Sequence, residues 1–213
     1  MLLALLPTVT AGAWAQAPDT VAAVHDVLAP IARLVRRPPA EVAFAEARFS
    51  PLLARPLVVS GTLSWEGGMR LRRHVDTPFV ETTLIDGDVV RMHRAGGESS
   101  SFSLDRAPPL KALAQSLVAL LSGNRKQLKA LFSVQREKRQ DTAVWTLVLT
   151  PRSSRLARQL AHITLDGDRQ GLRCLELVES GGASSIDLLG ALAPRMPAQP
   201  TRAALKALCR HAH

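Results

Sequence analysis

The stretch "PLVVSGTLSW", residues 56–65, decides how this chain is read. Leu57, Val59, Gly61, Leu63 and Trp65 fall on one side of an extended backbone, and Val58, Ser60, Thr62 and Ser64 on the other. Successive side chains of a strand point to opposite faces, so the pattern describes a strand with one apolar and one more polar face. "AVWTLVLT", residues 143–150, repeats it, with Ala143, Trp145, Leu147 and Leu149 opposed to Val144, Thr146, Val148 and Thr150. One-sided alternation of this kind belongs to antiparallel sheets. Similar runs lie near residues 41–49, 69–76, 79–86, 88–94, 99–104, 133–138, 160–166, 172–179 and 183–189, mostly with turn residues between them. So many short strands within 213 residues predict a mainly β (α+β) domain, in which one large, curved antiparallel sheet forms an unclosed barrel.

Two longer segments break the two-residue period. Residues 19–36 place Val21, Val24, Leu28, Ile31 and Val35 on one helical face, with Pro30 expected to kink the helix. In "PPLKALAQSLVALLSG", Leu110, Leu113, Leu117, Leu120 and Leu121 form a broad apolar stripe, Pro109 suits the first turn and Gly123 the C-terminal cap. A third, short helix is expected from about Arg125 to Leu131, leading into Phe132. These two or three amphipathic helices would cover the apolar face of the sheet.

Composition narrows the function classes. The formal charge of +9 brings anionic partners to mind. The arginines are dispersed, however, and three tryptophans, five phenylalanines and no tyrosine supply few stacking platforms, which argues against nucleic acid. The N-terminal "MLLALLPTVTAGAWAQ" runs apolar and then small, and Ala13-Trp14-Ala15 forms a small-x-small cleavage pattern, so residues 1–15 are expected to be a signal peptide despite lacking a basic start. The remaining chain divides into a domain over 16–190 and a C-terminal tail over 191–213. Cys174 and Cys209 could form a disulfide after export or remain as separate buried thiols.

Catalytic signatures are missing. The sequence has no phosphate-binding G-x-x-x-x-G-K-[ST], no G-x-S-x-G elbow, no H-E-x-x-H, no C-x-x-C and no S-x-x-K. Of six histidines only His211 and His213 are neighbours, and these lie in the tail. The twice-used Asp-Gly-Asp, at 86–88 and 166–168, would attract a divalent metal only with several more oxygen ligands than one turn supplies. Asp86-Gly87 instead reads as the centre of a two-residue hairpin turn with positive φ at both positions, and Asp166 to Gly171 as a longer loop. The chain is therefore expected to be neither an enzyme nor the holder of a metal or cofactor.

The order "SGTLSWEGGMRLRRHVDTP", "IDGDVV", a Leu-rich helix ending in "LLSGN", "FSV" and "WTLVLTPRSSRLARQLAHITLDGD" resembles the periplasmic outer-membrane lipoprotein carrier family, LolA-like, over roughly residues 40–190. "LVLTPR" followed by "ITLDGD" is its sharpest part, and "GTL" with Pro78 about 17 residues on is its second. The resemblance implies an unclosed barrel with a helical cover and an apolar cavity for acyl chains. It implies a periplasmic carrier that takes a lipoprotein or other lipidic cargo from an inner-membrane exporter to an outer-membrane acceptor, and the +9 charge would add transient contact to anionic membrane. The residues expected to touch acyl chains are Leu63, Trp65, Leu84, Leu113, Leu117, Leu121, Phe132, Trp145, Leu147 and Leu149. The competing reading is a non-carrier periplasmic interaction or structural module whose apolar faces form a closed core. One departure stands out: the family's Arg-Pro pair after the "GTL" strand falls here on Gly67 and Gly68.

Overall fold

In the computed structural model the described residues are 26–97, 99–137 and 143–211. They form one antiparallel sheet of eleven strands. In chain order the strands are β1 (Ala40–Phe49), β2 (Leu57–Gly67), β3 (Arg70–Thr77), β4 (Glu81–Asp86), β5 (Val89–Arg94), β6 (Ser100–Ser103), β7 (Phe132–Arg136), β8 (Trp145–Pro151), β9 (Leu160–Gly167), β10 (Leu172–Glu179) and β11 (Ser184–Leu189). Their spatial order is β6-β5-β4-β3-β2-β1-β11-β10-β9-β8-β7, so every neighbour is also a sequence neighbour except the central pair β1 and β11. That pair, from Phe44 opposite Leu189 to Phe49 opposite Ser184, joins the two halves. β6 and β7 are the free edges, and the sheet remains unclosed as expected.

The "GTL" glycine has a steric reason. A Cβ on Gly61 would come 1.9 Å from the His74 carbonyl oxygen of β3, at a register shift between Ser60 and Gly61, so only glycine lets the two backbones approach. Gly67 and Gly68 take φ of +102° and +52° in the turn from β2 to β3. An Arg-Pro pair cannot adopt that backbone, since proline is fixed near a negative φ. The β4–β5 turn differs from expectation: Asp86 pairs with Val89, so Gly87 and Asp88 are central, and Gly87 alone has a positive φ, +62°.

The connection from edge β6 to edge β7 crosses the inner face of the sheet. It contains α1 (Pro108–Leu121), which starts with prolines in its first turn, and α2 (Arg125–Leu131), capped by the Asn124 side chain accepting from the Gln127 N–H at 3.0 Å. On one side, Ala112, Leu113, Leu117 and Leu120 of α1 pack with Phe132, Trp145, Leu147, Leu149, Ile163, Leu165 and Leu175 of the β7–β10 half. On the other, Leu110 and Ala114 meet Ile85 and Val90 of β4 and β5. A single helix can touch strands from both halves only if the sheet curves around it.

The expected helix over 19–36 is replaced, where described, by a 3₁₀ turn at Ala29–Arg33. Pro30 stands in the first turn, where its missing N–H costs nothing, so it starts this element and does not kink it. Leu28 and Ile31 are buried as the apolar stripe requires, whereas Val35 is 45% exposed because the following Arg36-Arg37-Pro38-Pro39 cannot continue a helix. The signal-peptide stretch 1–15 and positions Val21 and Val24 lie outside the described residues. Among the described residues no helix is long and apolar enough to cross a membrane.

The outer face of the central strands is also covered. After a 3₁₀ turn at Gly190–Arg195, α4 (Arg202–Arg210) packs Leu205 and Cys209 against Ala47, Cys174, Ile186 and Leu188; a short α3 (Ser154–Ala157) lies between β8 and β9. Thr201 caps α4 by accepting from the Ala204 N–H at 3.2 Å, a signal legible in "PTRAALKALCR". Lys206 pairs with Glu176 at 2.9 Å, and Cys174 and Cys209 form a disulfide. Of the two states open for these cysteines, the structure has the pair. A crosslink spanning 35 residues is expected to contribute about 2–4 kcal/mol, largely by restricting the unfolded chain. Urea unfolding of oxidised protein should therefore show Cys209→Ser destabilised by that amount; an unchanged midpoint would mean that α4 is anchored by packing alone.

Candidate functional site

Between α1 and the β1–β4 half of the sheet the inner face is not filled. A cavity of about 620 Å³ opens there, within the size range of small-ligand sites. Its wall is mainly apolar: Leu110, Leu113, Leu117, Leu120 and Leu121 from α1, Val42 from β1, Leu63 and Trp65 from β2, Leu71 from β3, Ile85 from β4, and Leu34, Leu172 and Leu189 around them. Packing and emptiness are thus divided along one helix. The β7–β10 side of α1 is a closed core, and its β1–β4 side, beyond the contact of Leu110 and Ala114 with Ile85 and Val90, opens onto the cavity.

This division sorts the residues expected to contact acyl chains. Leu63, Trp65, Leu113, Leu117 and Leu121 line the cavity. Phe132, Trp145, Leu147 and Leu149 share the inner face but are buried in the closed core. Leu84 is on the outer face, in a shallow groove with Thr82, Arg91 and His93, because its neighbour Ile85 takes the inward position opposite Leu71. Val42, Leu71, Leu110 and Leu189 escaped the sequence reading, although the alternation of β3 and the helical stripe carried the signal for Leu71 and Leu110.

The tryptophans are oriented by the turns beside them. Trp65 Nε1 donates to the Gly68 carbonyl at 2.9 Å, and Trp145 Nε1 to the Asp168 carbonyl at 2.9 Å. Each polar edge is satisfied, so each ring can lie against apolar neighbours. The two Asp-Gly-Asp segments are structural too. Asp168 Oδ1 accepts from the N–H of Gln170 at 2.7 Å and of Gly171 at 3.2 Å, closing the loop after β9, while buried Asp166 accepts from Thr146 at 2.5 Å and faces Arg210 of α4. Asp88 holds Lys111 near the start of α1 at 2.9 Å, together with Asp105 at 2.8 Å. Those partners, Asp105 first, raise the Lys111 ammonium above its ordinary range, and Lys111 lowers the Asp105 carboxyl. At the other end the Arg36 N–H donates to the Leu121 carbonyl at 2.8 Å.

A charged cluster interrupts the inner face. Glu46 of β1 accepts from Arg48 Nε at 2.6 Å and Nη2 at 3.1 Å, and from Arg73 Nη2 of β3 at 2.5 Å. The Arg73 guanidinium also lies 4.7 Å from the centre of the Phe44 ring, a cation–π contact. Asp187 of β11 is the register partner of Glu46. Burial, and then the Glu46 carboxylate, push the Asp187 carboxyl well above its ordinary value, with Arg73 and Arg48 opposing.

The architecture is an unclosed antiparallel sheet with an apolar cavity under a crossing helix. Over residues 15–212 the chain matches the family model described as outer membrane lipoprotein carrier protein LolA-like, and it belongs to that family. Among solved structures it is similar to a LolA superfamily protein of Nitrosomonas europaea, at 12% identity and a TM-score of 0.41, covering 75% of this chain and 88% of that one. It is also similar to a domain of Vibrio parahaemolyticus described as outer membrane lipoprotein-sorting, at 8% identity and a TM-score of 0.39, covering 76% and 88%. No curated protein matches the chain.

Asp187 makes stability depend on pH with a defined sign. Its raised native pKa means that the folded chain holds a proton that the unfolded chain has lost, so its contribution is favourable at low pH and declines as pH rises from the ordinary aspartate value through the native one. In Asp187→Asn that decline should be absent. Urea midpoints measured over roughly pH 4 to 8 would settle it, and an equal slope in both proteins would show that Asp187 is not the group responsible.

Proposed function

We propose that the chain is a periplasmic carrier that holds the acyl chains of a lipoprotein or other lipidic cargo in the cavity under α1 and moves them from the inner to the outer membrane. The observation that carries this reading is the void itself. A sheet face bearing Leu63, Leu71 and Ile85 and a helix bearing Leu113, Leu117 and Leu121 face one another without filling the space between them. Protein interiors are otherwise close-packed, and an apolar void forfeits contacts unless something occupies it.

The energetics suit a carrier. Each buried methylene contributes about 0.8 kcal/mol, so half-burying a sixteen-carbon chain contributes roughly 6 kcal/mol. That is enough to hold cargo in water and small enough to release it to a better site, with no nucleotide bound to the carrier. Transfer then runs downhill in affinity from an exporter to an acceptor. The charge of +9 would draw the carrier to anionic membrane surfaces or acidic partner loops, an attraction that weakens with salt.

Native mass spectrometry of protein purified from periplasm should show co-purifying lipid, and fluorescent fatty acid or acylated peptide should bind to the delipidated protein. Leu117→Glu places a carboxylate on the cavity wall and should abolish that binding while the β-sheet circular dichroism is retained. Absence of any bound or bindable lipid sinks the carrier reading. Loss of folding in Leu117→Glu would favour a closed core in which Leu117 only packs.

A further inference from the structure

The charges that line the cavity are unbalanced. Arg36, Arg37, Arg72 and Arg73 contribute to its wall, whereas among the described residues Glu41 is the one carboxylate there. Two of these are engaged at the rim: Arg72 pairs with Glu66 at 2.8 Å, and Arg36 donates to the carbonyls of Val35 and Gln170. Arg73 is different. It alternates with Leu71 and Val75 on the inner face of β3, beside Leu63 of β2 and Thr83 of β4, well inside the sheet.

Arg73 is held in place from two sides, by Glu46 at 2.5 Å and by the Phe44 ring at 4.7 Å. Its carboxylate partner is shared, because Glu46 also takes both contacts from Arg48. The second acid of the cluster, Asp187, makes no hydrogen bond to Arg73, and burial and the Glu46 carboxylate push its carboxyl well above the ordinary value. Two guanidiniums donate to the one Glu46 carboxylate, and only Nη2 of Arg73 is used in that pair. Its remaining N–H groups are free to form the paired hydrogen bonds that guanidinium makes with carboxylate or phosphate. Once a chain fills the cavity and displaces water, these unused donors are costly unless the cargo satisfies them.

We propose that the cargo is an anionic amphiphile whose ionised head, a carboxylate or a phosphate, pairs with Arg73 while its chain lies along the leucines of α1. The inference rests on the carrier reading of the cavity and specifies the chemistry of what the cavity takes. Thr83, the register partner of Arg73 on the cavity wall, adds a hydroxyl beside the head, and Arg36 and Arg37 at the rim provide a field that draws an anion inward.

Three probes with the same twelve-carbon chain test it: laurate, dodecyl phosphate and dodecanol, titrated into delipidated protein at neutral pH with Trp65 fluorescence as the readout. At least one of the two anions should bind about ten-fold or more tightly than dodecanol, the ratio that one charge-assisted hydrogen bond supplies. Whichever anion binds more tightly identifies the head as carboxylate or phosphate. In Arg73→Gln the preference should fall below about three-fold while dodecanol affinity is kept, and Arg73→Lys should restore part of it. Equal binding of all three probes by the unaltered protein overturns the anionic head and leaves the carrier reading standing. Failure of all three to bind overturns both. Full preference retained in Arg73→Gln overturns the assignment to Arg73, and should that variant not fold, the Arg73→Lys ratio decides the same point.

Discussion

The structure depends on one constraint: β6 and β7 are consecutive strands in the sequence and stand at the two opposite edges of the sheet. The chain between them has to cross the mouth of an unclosed sheet, and the shortest covered route runs over its inner face. A helix with a broad leucine stripe satisfies that route, since it buries apolar surface along its length and meets its own backbone hydrogen bonds without a strand partner. α1 is the result. Being one rigid cylinder inside a curved sheet, it packs closely against the β7–β10 half, touches β4 and β5 near its start, and leaves the cavity between itself and β1–β4. The central β1–β11 pairing makes the two halves one frame, so the void is bounded by elements that cannot collapse independently.

Much of this was legible in the sequence because a two-residue period survives wherever one face is buried and the other wet. β2 and β8 announce themselves in this way. β9 and β10 are less regular, since α4 covers their outer face and Asp166, Cys174 and Glu176 are buried where alternation alone would leave them wet. α4 itself was hidden by its position after two prolines and by its charged residues, although Thr201, Leu205 and Cys209 carry the cap and the buried spacing. The helix over 19–36 was misread where it is described because the apolar period continued through Pro30 and up to an Arg-Arg-Pro-Pro stretch that ends it.

The site was half legible for a related reason. Local periodicity says which face a side chain takes but not whether that face is packed or open. Trp65 and Trp145 look alike in sequence, one closing and the other near the opening of an apolar file, and each donates its ring N–H to a turn carbonyl. One borders the cavity and the other lies in solid core, and the difference is set by where α1 comes down, which involves residues far away in sequence. The Glu46, Arg48, Arg73 and Asp187 cluster was missed altogether, because charged residues in a strand are read as solvated until the third dimension brings β1, β3 and β11 together.

The fastenings of α1 are unequal in kind. Near its start Lys111 is held by Asp88 and Asp105, whose side chains are largely exposed, and such pairs contribute little and are screened by ions. At its end a backbone hydrogen bond from Arg36 to Leu121 ties the helix to the segment that enters β1, and salt does not weaken that bond in the same way. The helix is therefore secured by solvent-exposed charge pairs at its start and by a main-chain hydrogen bond at its end. Added salt therefore loosens the start of the helix more than its end.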